Sequence, residues 1–312
     1  MKKQIIITLF LLIAGVAQLS AQGIIIYKTD GTFDIYPAEQ VARIVTYRYG
    51  EEPQPGEGTQ PDEEGTQTFT VNGVSFKMVS VEGGSFMMGN KDNYRAVIAT
   101  YPPNPLHYVT ISSFSIGQTE VTQALWYAVM GQKPTADGAQ WSSTSTGYGL
   151  GDNYPAYYVS WEDCQVFLSR LNELTGKQFR LPTESEWEFA ARGGTKRNNY
   201  IFAGSDEVGD VAWYMLNAYT APREVATKKP NELGIYDMSG NVSEWCQDWY
   251  AKYTSDDTAD PTGPASGTNR IVRGGSYADQ DECAVFIRSV DKPSSRSQKT
   301  GLRLVLSAET TE

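Results

Sequence analysis

Gly234-Ile-Tyr-Asp-Met-Ser-Gly-Asn-Val-Ser-Glu-Trp-Cys-Gln-Asp-Trp-Tyr250 gathers glycines, carboxylates, an amide and the aromatics Tyr236, Trp245, Trp249 and Tyr250 into one short run. The mixture has neither the period of an amphipathic helix nor the alternation of a half-buried strand. Gly240-Asn241 is a turn signal, because both residues tolerate positive φ. The run therefore reads as a tight loop pinned to a core by its indoles. Asp237 and Glu244 flank the turn, with the backbone carbonyls of Gly240 and Val242 between them. Hard cations such as Ca²⁺ collect carboxylate and main-chain oxygens from short Gly-bent loops, although this is no EF-hand pattern. The residues alone also allow Asp237 to cap a turn and Glu244 to be a solvated surface charge.

Four further stretches stand on either side of this one. They are Gly84-Ser-Phe-Met-Met-Gly89, Thr119-Glu-Val-Thr122, Arg180-Leu-Pro-Thr-Glu-Ser-Glu-Trp-Glu-Phe-Ala-Ala-Arg-Gly-Gly194, and Arg273-Gly-Gly-Ser-Tyr277 followed by Gly301-Leu-Arg303. In this order, and with the 234–250 run, they resemble the signatures of the sulfatase-modifying-factor family, which includes the formylglycine-generating enzymes. The resemblance covers roughly residues 70–307. It implies an α+β, loop-rich domain related to C-type lectins, with short strands and a few helices.

Matched residue by residue, the resemblance places one of the family's calcium sites on Asp237, the carbonyls of Gly240 and Val242, and Glu244. Asp237 stands where some members carry Asn, which adds negative charge. The family's other calcium site falls between Trp213 and Asn231, a segment that is short here, and it is not carried over. The enzymes of the family oxidise a peptide cysteine to formylglycine with O₂ and copper held by two cysteines. Those cysteines follow the Arg-Gly-Gly-Ser motif, and their positions here hold Asp279 and Ala284, with Cys283 beside the second. Soft Cu(I) needs facing thiolates, so one thiol does not make that site. The aromatic that lines the enzymes' oxygen pocket, between Val and Glu, is Ser243 here.

Two expectations follow, from different classes. The first is a non-catalytic, calcium-stabilised binding module that presents Ser276, Tyr277, Asp279, Asp281 and Arg296 to a protein, peptide or glycan ligand. The second is a formylglycine-generating oxidase with Cys283 as nucleophile or copper ligand. The single histidine, His107, precludes a histidine cluster for zinc or iron and reads as a strand-end residue bonded to backbone. Glu184, Glu186 and Glu188 read as scaffold. No G-x-S-x-G elbow, P-loop or dinucleotide fingerprint is present.

Bulk properties agree with an exported globular protein. The chain has 312 residues, enough for one large core or two modest ones, and a net charge of −11, which disfavours nucleic acid or an anionic membrane as partner. Residues 1–21, with Lys2-Lys3, an apolar run and a small-residue end at Ala21, read as a secretory signal peptide, and that run is too short for a membrane span. No Cys follows it, so a bacterial lipoprotein anchor is not expected. The destination is the periplasm, the cell surface or the medium. Cys164, Cys246 and Cys283 allow at most one disulfide, and Cys246–Cys283 is a possible pair.

Residues 22–48 form a small β unit, with a hairpin around Asp30-Gly31, a helical turn from Pro37 and the β-branched run from Ile44. Residues 49–67, acidic and rich in Pro and Gly, are a flexible linker. The main domain occupies 68–312. It opens with strands over 68–71 and 74–81 around Asn72-Gly73, and an alternating strand over 109–116. Helices are expected after Thr122 as far as Gly131, after Ser160 with Asp163 as capping box, and after Thr183 with Glu186. Phe167, Leu168, Leu171 and Leu174 mark the buried face of the second. The long loops need fixing by buried Trp141, Trp161, Trp213, Trp245 and Trp249 and by a metal.

Overall fold

The computed structural model describes residues 65–90, 105–132, 149–218, 220–254, 256, 258–280 and 282–307, and the backbone of 18–20, 23–27 and 33–37. The chain divides into two compact units, Met1–Pro55 and Gly56–Glu312.

In the first unit, β1 (Gln18–Ser20), β2 (Gly23–Tyr27) and β3 (Phe33–Pro37) form an antiparallel sheet in that order. The expected hairpin is present, with Ile25 opposite Ile35 and Tyr27 opposite Phe33. The helical turn after Pro37 and the run from Ile44 lie outside the described residues, as does Trp141.

The second unit is built in chain order from β4 (Thr66–Val71), β5 (Val74–Val81), β6 (Gly84–Met88), β7 (His107–Ile111), β8 (Phe114–Gly117), α1 (Gln123–Met130), α2 (Trp161–Thr175), β9 (Phe179–Arg180), α3 (Glu184–Ala191) and the one-turn α4 (Val208–Val211). There follow β10 (Ser243–Trp249), β11 (Thr258–Ala259), β12 (Arg270–Arg273), β13 (Arg288–Asp291), β14 (Thr300–Gly301) and β15 (Val305–Ser307). They make a five-stranded sheet β4-β5-β8-β15-β9, a four-stranded sheet β13-β12-β10-β14 and a three-stranded sheet β11-β7-β6.

The helices start and stop where their caps require. Thr122 accepts from the Leu125 N–H, and Gly131 closes α1 in the left-handed region. Ser160 with Asp163 and Thr183 with Glu186 are reciprocal capping boxes at α2 and α3. Each such cap stabilises by about 1 kcal/mol. Leu174 departs from expectation: it is 46% exposed, in the last turn of α2, while Phe167, Leu168 and Leu171 are buried.

The expected strand over 109–116 is two strands in two sheets. Its break at Ser112–Ser113 is fixed from afar, because Asp260 accepts both the Ser112 N–H and its hydroxyl, and Ser113 accepts the Gly83 N–H. Alternation along the 109–116 run is blind to a partner so distant in sequence.

Two apolar clusters share the interior. One holds Phe86, Val109, Ile111, Trp187, Met238, Cys246 and Cys283. The other holds Met78, Trp126, Tyr157, Phe167, Val242, Trp245 and Leu302. Strand β10 is the wall between them, since Trp245 and Cys246 belong to opposite clusters, as alternation along a strand dictates. The turn before β10 thus sits at the seam of both.

Candidate functional site

Gly240 makes the turn before β10 possible. Its φ is +78°, and a Cβ there would lie 2.3 Å from the Trp213 carbonyl oxygen. Asn241, also at positive φ, locks the turn in several directions. Its N–H donates to the Trp213 carbonyl, its amide oxygen accepts the Arg223 N–H, and its amide nitrogen donates to Glu120 at 2.7 Å. Glu120 also accepts the Val242 N–H at 3.0 Å. A carboxylate from the Thr119-Glu-Val-Thr122 stretch therefore clamps a turn far along the chain.

Glu244 is fully buried. Its carboxylate accepts Arg303 Nε and Nη2, at 2.9 and 2.6 Å on Oε1, and the Trp187 indole N–H at 2.7 Å on Oε2. The remaining Arg303 N–H groups reach the carbonyls of Gly117 and Tyr236. The reading of Glu244 as a solvated surface charge is overturned, because the fold encloses it between Trp187 and Arg303. Asp237, 3% exposed, accepts the Ala226 N–H on Oδ2, whereas its Oδ1 is buried without a hydrogen-bond partner.

Glu120, Asp237 and Glu244 interact electrostatically with one another and with one guanidinium, Arg303. Burial, then repulsion from Asp237 and Glu244, pushes the Glu120 carboxyl well above its ordinary value. Burial likewise raises Asp237 to about 6, outweighing the Ala226 N–H and Arg303. When ionised, three carboxylates against one guanidinium leave two negative charges enclosed.

That charge and the unpartnered Asp237 oxygen fit a hard divalent cation at the Asp237 side of the turn. The Glu244 side fits less well, since Arg303 and Trp187 already use both of its oxygens. Among the described residues no group of three or more His, Cys, Asp or Glu side chains is arranged to hold a metal ion.

The residues expected to form a binding surface do not make one exposed face. Ser276 is fully buried and Tyr277 nearly so. Both are recruited inward: the Ser276 hydroxyl donates to Asp279, and the Tyr277 N–H donates to the Asn241 carbonyl. Asp279 is further held by Lys299 at 3.0 Å. Arg296 is drawn to Asp163 at the start of α2, at 2.7 Å, and Asp281 lies outside the described residues. What reaches solvent nearby is the 214–218 turn, with Met215 and Leu216 exposed and the Met215 N–H on the Asp279 carbonyl.

Cys164, Cys246 and Cys283 are all buried, and no disulfide joins Cys246 to Cys283. Cys283 is 0% exposed within the first cluster, and Ala284, at the family's second copper-cysteine position, is equally enclosed. Burial pushes the Cys246 and Cys164 thiols well up, away from the reactive thiolate. His107 Nδ1 lies 3.1 Å from the Pro105 carbonyl, as its strand-end position suggested. Glu184, Glu186 and Glu188 are tied to Arg273, Arg288, Arg180 and Arg192 in ion pairs, which makes them scaffold.

Residues 65–308 match the model of the sulfatase-modifying factor enzyme 1-like domain. The chain belongs to this family. Among its relatives, the chaperone protein LppX of Paenibacillus barcinonensis is 32% identical over 246 residues, 65% of this chain and 79% of that one. The formylglycine-generating enzyme of Streptomyces coelicolor is 31% identical over 300 residues, 75% of this chain and 90% of that one. Of solved structures, Treponema denticola variable protein 1 superposes with a TM-score of 0.68 at 33% identity, covering 78% of this chain and 99% of that one. The α+β, loop-rich architecture is thus the family's. No helix among the described residues is long and apolar enough to cross a membrane.

Proposed function

We propose that this domain is a non-catalytic binding module, exported by its N-terminal signal and braced by a structural calcium ion, whose ligand is another exported protein, peptide or glycan. The observation that carries the reading is the enclosure of Cys283. A copper oxidase needs two thiolates open to metal, O₂ and a peptide. Here the corresponding positions are Asp279, held by Ser276 and Lys299, and buried Ala284, with the neighbouring thiol inside the apolar cluster. The relative named a chaperone favours a protein ligand among the three.

The second reading, a formylglycine-generating oxidase, is favoured by the similarity to the Streptomyces enzyme over three-quarters of the chain. One experiment separates the two. Purified protein is incubated with Cu(I), O₂ and a Cys-x-Pro-x-Arg peptide, and the peptide is weighed by mass spectrometry. An unchanged peptide is expected, and conversion of its thiol to an aldehyde would reverse the assignment.

The calcium half rests on the unpartnered, buried Asp237 oxygen and on the burial of three carboxylates around one guanidinium, which raises the Glu120 and Asp237 carboxyls in the absence of a cation. Asp237 and the carbonyls of Gly240 and Val242 would hold the ion, whereas Glu244, its charge balanced by Arg303 and its second oxygen held by Trp187, would have to loosen that pairing to join them. Such an ion supplies no chemistry; it pins the turn at the seam of the two clusters.

A further inference from the structure

Ser276 and Tyr277 turn inward, and the bonds made around them end at one exposed turn. The Tyr277 N–H donates to the Asn241 carbonyl, the Asn241 N–H to the Trp213 carbonyl, and the Met215 N–H to the Asp279 carbonyl. Asn217 then closes the turn with its side chain. Its amide oxygen accepts the Tyr214 N–H, and its amide nitrogen donates to the Ala212 carbonyl. The N–H groups of Asn217 and Ala218 both return to the Tyr214 carbonyl. A backbone held at so many points still leaves Met215 47% and Leu216 67% exposed, and Leu216 is the most exposed large apolar side chain among the described residues. Single exposed apolar side chains are ordinary on a surface, so the surroundings decide. Here the surroundings are cationic. Arg223 donates to the Ala218 carbonyl at 3.1 Å, the Lys228 ammonium lies 4.3 Å from the centre of the Trp213 ring, and Lys299 holds Asp279. From 212 to 229 the chain carries Arg223, Lys228 and Lys229 against Glu224 alone, although the whole protein has a net charge of −11.

We infer that Met215 and Leu216 anchor the ligand, and that the ligand is a protein segment in which large apolar side chains stand beside Asp or Glu. This deepens the binding-module reading and rests on it. Ser276, Tyr277 and Asp279 then serve as the pedestal of the turn and not as the contact face. Apolar side chains on a turn already fixed bury area on contact without first giving up backbone freedom, which suits them as anchors. The cations around them attract an acidic partner and repel a basic one. A glycan fits less well, because it would want an open aromatic face, and the indole beside the turn, Trp213, is already taken by Lys228 and Arg223.

Phage-displayed peptides are selected against the immobilised full chain, and the enriched sequences are synthesised with a fluorescent label. Anisotropy titrations then give their affinity for wild type, for the double variant Met215→Ser, Leu216→Ser, and for Lys228→Glu. The enriched peptides should combine Leu, Ile, Phe or Trp with Asp or Glu. They should bind the double variant about tenfold or more weakly, the effect of withdrawing two apolar side chains from the contact. Lys228→Glu should also weaken binding, and the loss should shrink in high salt. Should Lys228→Glu not fold, the double variant still decides, since both of its side chains lie at the surface. Peptides rich in Lys or Arg, peptides that bind the double variant as well as wild type, or no enrichment would each overturn this surface and leave the module reading in place. Aldehyde formation in the copper assay, with peptide binding at the turn intact, would instead overturn the module reading alone. If wild type self-associates in sedimentation and the double variant does not, the occupant is a second copy of this chain, and the acidic segment is overturned.

Discussion

The guanidinium of Arg303 and the carboxylate of Glu244 face each other in a bidentate pair, Nη2 on Oε1 at 2.6 Å and Nε on Oε2 at 3.0 Å, and both residues are fully buried. The pair joins the Gly301-Leu-Arg303 end of the chain to the turn before β10, and Trp187 adds a third donor from α3. Replacing Arg303 by Met should cost about 3–5 kcal/mol, because it strands a buried carboxylate. Urea unfolding measures this directly, and a loss under about 1 kcal/mol would mean that something else satisfies Glu244.

Calcium dependence is best tested at Asp237. EDTA should lower the melting temperature of wild type, and Asp237→Ala should be insensitive to it. Glu244→Ala should lower the melting temperature with or without EDTA, since it also strands Arg303. A wild-type melting curve that EDTA leaves in place removes the ion from the account.

Asp248, on β10, accepts the Glu184 N–H at the start of α3, yet burial and then the nearby Glu184 charge raise its carboxyl to about 7 from an ordinary 3.8. The folded state therefore binds the Asp248 proton more tightly than the unfolded chain does between those values. Its contribution to stability is fully present in acid and is lost as pH rises from about 4 to about 7. Asp248→Asn should flatten that part of the stability profile and leave the variant more stable than wild type at pH 8. Urea midpoints at pH 5 and pH 8 suffice, and parallel profiles for the two proteins would contradict the raised value.

Gly240→Ala should cost about 2 kcal/mol or more, from the positive φ and the clash with the Trp213 carbonyl together. Gly131→Ala, also at positive φ but with open space around it, is the control and should cost less. Thermal melts of the two variants make the comparison; equal losses would show that the close approach to Trp213 is not tight.

Thiol labelling reads the burial of the cysteines. The native protein should react slowly with an aromatic disulfide reagent, and all three thiols should appear in denaturant. Rapid native labelling at Cys283 would favour the oxidase reading.

Much of this fold was written locally. Thr122, Ser160 with Asp163, and Thr183 with Glu186 start helices through bonds spanning three residues, so the caps and the glycine stops were legible without any partner. Gly240-Asn241 announced its turn in the same way, because positive φ is a property of the residue itself. The identities of Asp279 and Ala284 at the copper-cysteine positions were also there to be read.

What only the tertiary structure decided are the relationships between segments far apart in the chain. Asp260 splits the run over 109–116 into two strands. Glu120, noticed only as part of a family stretch, turns out to clamp Asn241 and Val242. Glu244 is an ion-pair partner of Arg303, and Ser276 and Tyr277 face inward. In each case a polar group taken from water must find a partner, and which one it finds depends on how the two clusters close around β10. Periodicity along a single segment carries no record of that closure.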